Sequence, residues 1–168
     1  MSDAAQDFAA MRTPAAEHEK LAAFAGTFKA RVSMWMGPGE PMISTGTMVN
    51  ELDLGGLFLK QTYTGDPNEG PFPEFEGRGF WGYNKFTNRY EGFWIDNASS
   101  MMQTEAGELD ESGRVWTMTG ELPDPSTGGT MTKRSVITLQ DGDNHLMEMY
   151  FDTGEGETKS MEIQYTRA

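Results

Sequence analysis

Histidine occurs twice in this chain, at His18 and His145, and cysteine not at all. Disulfides, cysteine-ligated metals and thiol nucleophiles are thereby excluded. His145 opens the run His145-Leu146-Met147-Glu148-Met149-Tyr150-Phe151. Side chains alternate along a strand, so His145 shares a face with Met147, Met149 and Phe151. An inward imidazole near a barrel rim suits a haem ligand or a general base. Its place directly after the turn Asp141–Asn144 favours an ordinary solvated imidazole instead. His18 shares a helix face with Leu21 and Phe24, which suits a capping or core hydrogen bond. The serines lie mostly in turns, no Gly-x-Ser-x-Gly occurs, and the carboxylates are scattered. Asp141, Asp143 and Asn144 lack the glycine and distal glutamate of a calcium loop. No catalytic residue, metal ligand or cofactor is therefore assigned. A non-catalytic role is favoured, and an isomerase- or hydrolase-like enzyme stays open.

Binding offers the stronger signal. Thirteen methionines and four tryptophans are many for 168 residues. Methionine is flexible and polarizable and lines adaptable apolar surfaces. The expected cavity lining comprises Met34, Trp81, Trp94, Trp116, Met118, Met147, Met149 and Phe151, with His145 near a rim. Arg134 and Arg78 are candidates to clamp a carboxylate. The parity of Arg134 is ambiguous: Val136 shares its face, whereas Ile137 and Leu139 favour the other face pointing inward. Gly77-Arg78-Gly79-Phe80-Trp81-Gly82 matches the spacing of a dinucleotide-binding loop. Strand and turn sequence follows it where that motif needs a helix. Its glycines are expected instead to relieve crowding beside large aromatics.

Thr13-Pro14 and Gly26 bracket one short helix over about 14–25, after a loose polar arm over 1–13. Ten turn-bounded segments follow, near 27–36, 42–54, 57–65, 75–84, 89–97, 100–109, 114–122, 131–140, 145–153 and 158–167. No helical pattern intervenes, so the pairings should be antiparallel. Phe28, Ala30, Val32, Met34 and Met36 share one face, as do Met161, Ile163 and Tyr165. A single domain over 14–168 follows: a mainly β, antiparallel up-and-down barrel of about ten strands, the helix closing one end. A sandwich is the second choice.

The net charge of −13, from 26 acidic and 13 basic residues, argues against nucleic acid or an anionic membrane as partner. Residues 1–7 lack a basic start and an apolar core, which points to a cytoplasmic protein. The expected partner is a small apolar or amphipathic molecule inside the barrel. A filled barrel acting as an interaction domain, and homo-oligomerisation, remain open.

Several landmarks resemble a known family. Glu17-His18, Leu21 and Gly26-Thr27-Phe28 are similar to the helix and Gly-x-Trp opening of the bacterial domain of unknown function 1579 family. Leu54-Gly55-Gly56-Leu57-Phe58-Leu59 resembles its Leu-Gly-Gly strand pair. Gly82-Tyr83-Asn84, followed by Tyr90, Gly92 and Trp94, resembles its Gly-Tyr-Asp turn and next strand. Tyr165 and Arg167 resemble its aromatic-then-arginine ending. Phe28 and Asn84 depart from the pattern, standing where tryptophan and aspartate are usual. The resemblance spans about residues 14–168 and implies a calycin-like barrel, related in architecture to lipocalins, fatty-acid-binding proteins and nitrobindins. It also implies that Arg167 packs over Phe28. It transfers no activity.

Overall fold

The computed structural model describes residues 3–168. Ten antiparallel strands close into a barrel: β1 (Gly26–Met34), β2 (Met42–Asp53), β3 (Phe58–Gly65), β4 (Glu76–Asn84), β5 (Arg89–Asp96), β6 (Gln103–Leu109), β7 (Val115–Pro123), β8 (Thr130–Leu139), β9 (Asn144–Asp152) and β10 (Glu157–Arg167). Each strand pairs with its neighbour in the chain, and β1 pairs with β10 from Phe28↔Arg167 to Met34↔Met161. Closure leaves no free edge, so every strand has a partner on both sides. The strands start and stop within about three residues of the turn-bounded segments, because Gly, Pro, Asn and Asp clusters cannot continue the ladder.

Two helices precede the barrel. The first, α1 (Asp3–Met11), buries none of its residues. It occupies most of the stretch expected as a loose arm, whose residues 1–2 lie outside the described residues. Thr13 does not cap the second helix; its hydroxyl donates to the Ala9 carbonyl and finishes the first. The second, α2 (Ala16–Lys20), continues into a 3-10 turn at Leu21–Phe24. At its start the Ala15 N–H donates to His18 Nδ1 at 2.9 Å, so the buried imidazole satisfies one of the helix's free amides.

This helical segment plugs one barrel end. Leu21 and Phe24 are almost fully buried, contributing roughly 1.5–3 kcal/mol each. The Phe24 ring sits 5.0 Å from each of Trp81, Trp116 and His145. Hydrogen bonds hold the plug in register: Asn50 Nδ2 to the Phe24 carbonyl at 2.9 Å, and the Tyr90 hydroxyl to the Glu17 carbonyl at 2.9 Å. Arg167 adds Nη1 to the Ala25 carbonyl at 2.8 Å, with its guanidinium 4.6 Å from the centre of the Phe28 ring. The packing of Arg167 on Phe28 implied by the family resemblance is present. Gly26, at φ +129, is required beneath it, because a Cβ there would lie 2.3 Å from Arg167 Nη1. Among the described residues, no helix is long and apolar enough to cross a membrane.

Candidate functional site

The connections after β1, β3, β5, β7 and β9 lie at the barrel end away from the plug. From that end a cavity of about 380 Å³ runs down to Phe24. Small-molecule sites commonly span about 300–1,000 Å³. Period-two alternation builds its walls. Met34 on β1, Met147, Met149 and Phe151 on β9, and Met161 on β10 give a flexible apolar side. Trp81 on β4, Trp94 on β5 and His145 on β9 add rings.

Gly77 and Gly79 make room for one of these rings. A Cβ on Gly77 would fall 2.1 Å from Trp94 Cζ2, and one on Gly79 would fall 2.7 Å from Trp94 Cε3. The indole lies against bare backbone and donates Nε1–H to Asp96 at 2.9 Å. The Gly-x-Gly-x-x-Gly sequence thus serves aromatic packing, on a strand with no helix after it.

Three expected lining residues lie elsewhere. Trp116 and Met118 point inward but are fully buried against the plug, in one cluster with Leu21 and Phe24. Arg134 points outward. It forms a two-point ion pair with Glu157, at 2.8 Å through Nε and 2.6 Å through Nη2, and stacks over Tyr150 at 4.3 Å. Arg78 is also on the outer face, where it donates to the Gly77 and Tyr63 carbonyls.

The inward cation is Lys133, one residue before Arg134, and only 5% of it is exposed. Its Nζ lies 3.6 Å from Glu105 Oε2 and 3.4 Å from Gln103 Oε1. Ser135 Oγ donates to the same Glu105 oxygen at 3.0 Å. Gln103, Glu105 and Lys133 give the β6 and β8 wall a polar strip on the cavity, with Ser135 fully buried beside Glu105. No pattern of apolar alternation pointed to it, since both faces of β8 carry polar residues: Thr132 and Arg134 on one, Lys133 and Ser135 on the other.

His145 is buried and held between aromatics. It stacks on Tyr165, with ring centres 4.5 Å apart and planes 18° from parallel, and meets the edges of Phe24 and Phe28. Burial, reinforced by the charge of Arg167, lowers its pKa to about 4, so it is neutral at pH 7. Burial likewise disfavours the charged form of the two cavity phenols, and so raises their pKa. Tyr63 is pushed up to about 12, with Asp66 adding to the shift, and Tyr165 is also raised, with Tyr63 adding to it. All three rings stay uncharged at pH 7. Among the described residues, no three His, Asp or Glu side chains gather as a metal site.

Comparison with solved structures finds distantly similar structures. One is a redesigned beta barrel, b11L5F_LGL, at 13% identity and a TM-score of 0.47, covering 89% of this chain and 95% of that one. Another is EF1p2_mFAP2b bound to DFHBI, at 10% identity and a TM-score of 0.48, covering 90% of this chain and 98% of that one. No curated protein matches the chain. The family model described as "Protein of unknown function (DUF1579)" matches residues 13–167, nearly the whole of the barrel and its plug, and the chain belongs to that family.

Proposed function

We propose that this protein binds a small apolar or amphipathic molecule inside its barrel, without chemistry. The observation that carries this reading is the cavity of about 380 Å³, closed at one end by the plug and bordered mainly by methionine and aromatic side chains. Such a lining adapts to a guest's shape, and each methylene removed from water contributes about 0.8 kcal/mol. The titratable rings favour binding over catalysis. An imidazole with pKa near 4 is a weak base, and a phenol near 12 is a reluctant acid, whereas acid–base catalysis at neutral pH works best near 7. The chain's acidity and lack of cysteine support a cytoplasmic setting and argue against nucleic acid as partner.

The test uses N-phenyl-1-naphthylamine, a neutral fluorophore that brightens in apolar surroundings. Its emission should rise on mixing with the native protein. Met149→Trp places a bulkier ring in the cavity between Ser135 and Met161, its register partners, and should abolish the rise while the β-sheet circular dichroism persists. Equal binding to native and Met149→Trp proteins, or no binding to either, overturns the reading.

A further inference from the structure

The charged side chains bordering the cavity are already engaged. Lys133 faces Glu105, and Asp96 accepts from Trp94 Nε1 at 2.9 Å and from the Ala98 amide at 3.0 Å. One cation against two anions leaves the lining with a net negative charge. Two neutral hydroxyls are in a different position. Those of Tyr63 and Tyr165 belong to rings that border the cavity, and neither forms a hydrogen bond with another of the described residues. Both residues are at least 95% buried. The Tyr63 hydroxyl lies over Gly46, where a Cβ would be only 2.3 Å away. Gly46 pairs with Ala30, and Ala30 pairs with Tyr165. Two small residues on adjacent strands thus separate the phenols, and Tyr63 is near enough to act electrostatically on Tyr165. Both rings belong to the same packed cluster.

We propose that the ligand is an uncharged molecule, apolar in bulk, whose hydroxyl or amide group hydrogen-bonds the Tyr63 and Tyr165 hydroxyls. This deepens the binding reading and rests on it. A guest that covers these hydroxyls without bonding them forfeits the hydrogen bonds water can make there, and a donor–acceptor group on the guest restores them. A carboxylate would also accept from the phenols, but it would bring charge into an interior whose free cation is absent and whose balance is already negative. The same surroundings keep His145, Tyr63 and Tyr165 uncharged, which is an independent sign that they disfavour charge.

The experiment compares four guests with one eight-carbon skeleton: octane, octan-1-ol, octanamide and octanoate. Each competes with N-phenyl-1-naphthylamine at pH 8. Octanamide should bind at least about tenfold more tightly than octanoate, because only the carboxylate brings a charge that must be stripped of water. In the doubly substituted Tyr63→Phe, Tyr165→Phe protein, octan-1-ol and octanamide should weaken about tenfold while octane changes less than about twofold. The native ranking needs no variant, so it holds as a test even if the double variant folds poorly. Octanoate binding as tightly as octanamide overturns the proposal, as does an unchanged octanamide affinity in the double variant. Displacement by octane with no preference among head groups overturns this inference alone. Displacement by none of the four overturns this inference, while the binding reading stands or falls on the comparison of native and Met149→Trp proteins.

Discussion

His145 should make stability fall as pH drops through the mildly acidic range. In the unfolded chain its pKa is about 6.5, and in the barrel burial lowers it to about 4. Between those values the unfolded chain binds a proton that the folded one refuses, so acid favours unfolding. The stability His145 contributes is intact above about pH 7 and is lost as pH falls towards 4. The difference of about 2.5 units corresponds to about 3 kcal/mol in full, and to about 2 kcal/mol by pH 5. His145→Phe keeps a planar ring beside Tyr165, Phe24 and Phe28 but cannot titrate. Urea unfolding of both proteins at pH 8, 7, 6 and 5 gives the measurement. Any packing offset from the new ring is independent of pH and cancels in the slope. His18, whose pKa is also lowered by burial, is present in both proteins and cancels too. The carboxyls of Asp110, Asp124 and Asp141 are held low by hydrogen bonds, so their protonation belongs to more acidic conditions. The native protein should lose about 2 kcal/mol relative to the variant between pH 8 and pH 5. A difference that stays flat over that range refutes the assignment of His145 as a buried neutral ring.

Two further outcomes follow from the cavity wall. Gly79→Ala drives a methyl into the Trp94 ring and should cost about 1–3 kcal/mol, with a change in tryptophan emission as the indole leaves Asp96. Lys133→Met leaves the half-buried Glu105 with Ser135 but without its cation and should lower stability by about 1–3 kcal/mol. Adding Glu105→Gln should restore most of that loss in the same urea measurement.

The barrel was legible because turn chemistry is local. Asp110-Glu111-Ser112-Gly113 and Asp141-Gly142-Asp143-Asn144 terminate strands whatever surrounds them. The cavity was legible only as far as parity reaches. Alternation sent Trp116 and Met118 inward correctly but could not tell a cavity wall from a packed floor, since that depends on how deeply Leu21 and Phe24 descend. On β8 parity itself failed. Arg134 and Lys133 are adjacent, and the preference between them is set by Glu157 across the outside of the barrel and Glu105 within it. Those partners are more than twenty residues away in sequence and become neighbours only after closure. The helix over Asp3–Met11 does carry Ala4, Phe8 and Met11 at helical spacing, but Phe8 and Met11 stay exposed, so the stripe is too short to mark a core-facing helix.

The seam between β1 and β10 has a kinetic meaning. The nine other pairings join consecutive strands and can form by local hairpin closure. The seam joins the two ends of the barrel sequence, and its clasp, from Arg167 to the Ala25 carbonyl, spans 142 residues. Contacts so distant pay the largest loop-closure entropy unless the intervening strands are already assembled. Folding therefore ends in a zipping step, before which β1 and β10 each expose an unpaired edge to other chains. Weakening Arg167 prolongs the interval in which a nearly complete, open sheet can join with its neighbours, so the yield on refolding will depend on protein concentration even where the finished barrel is stable.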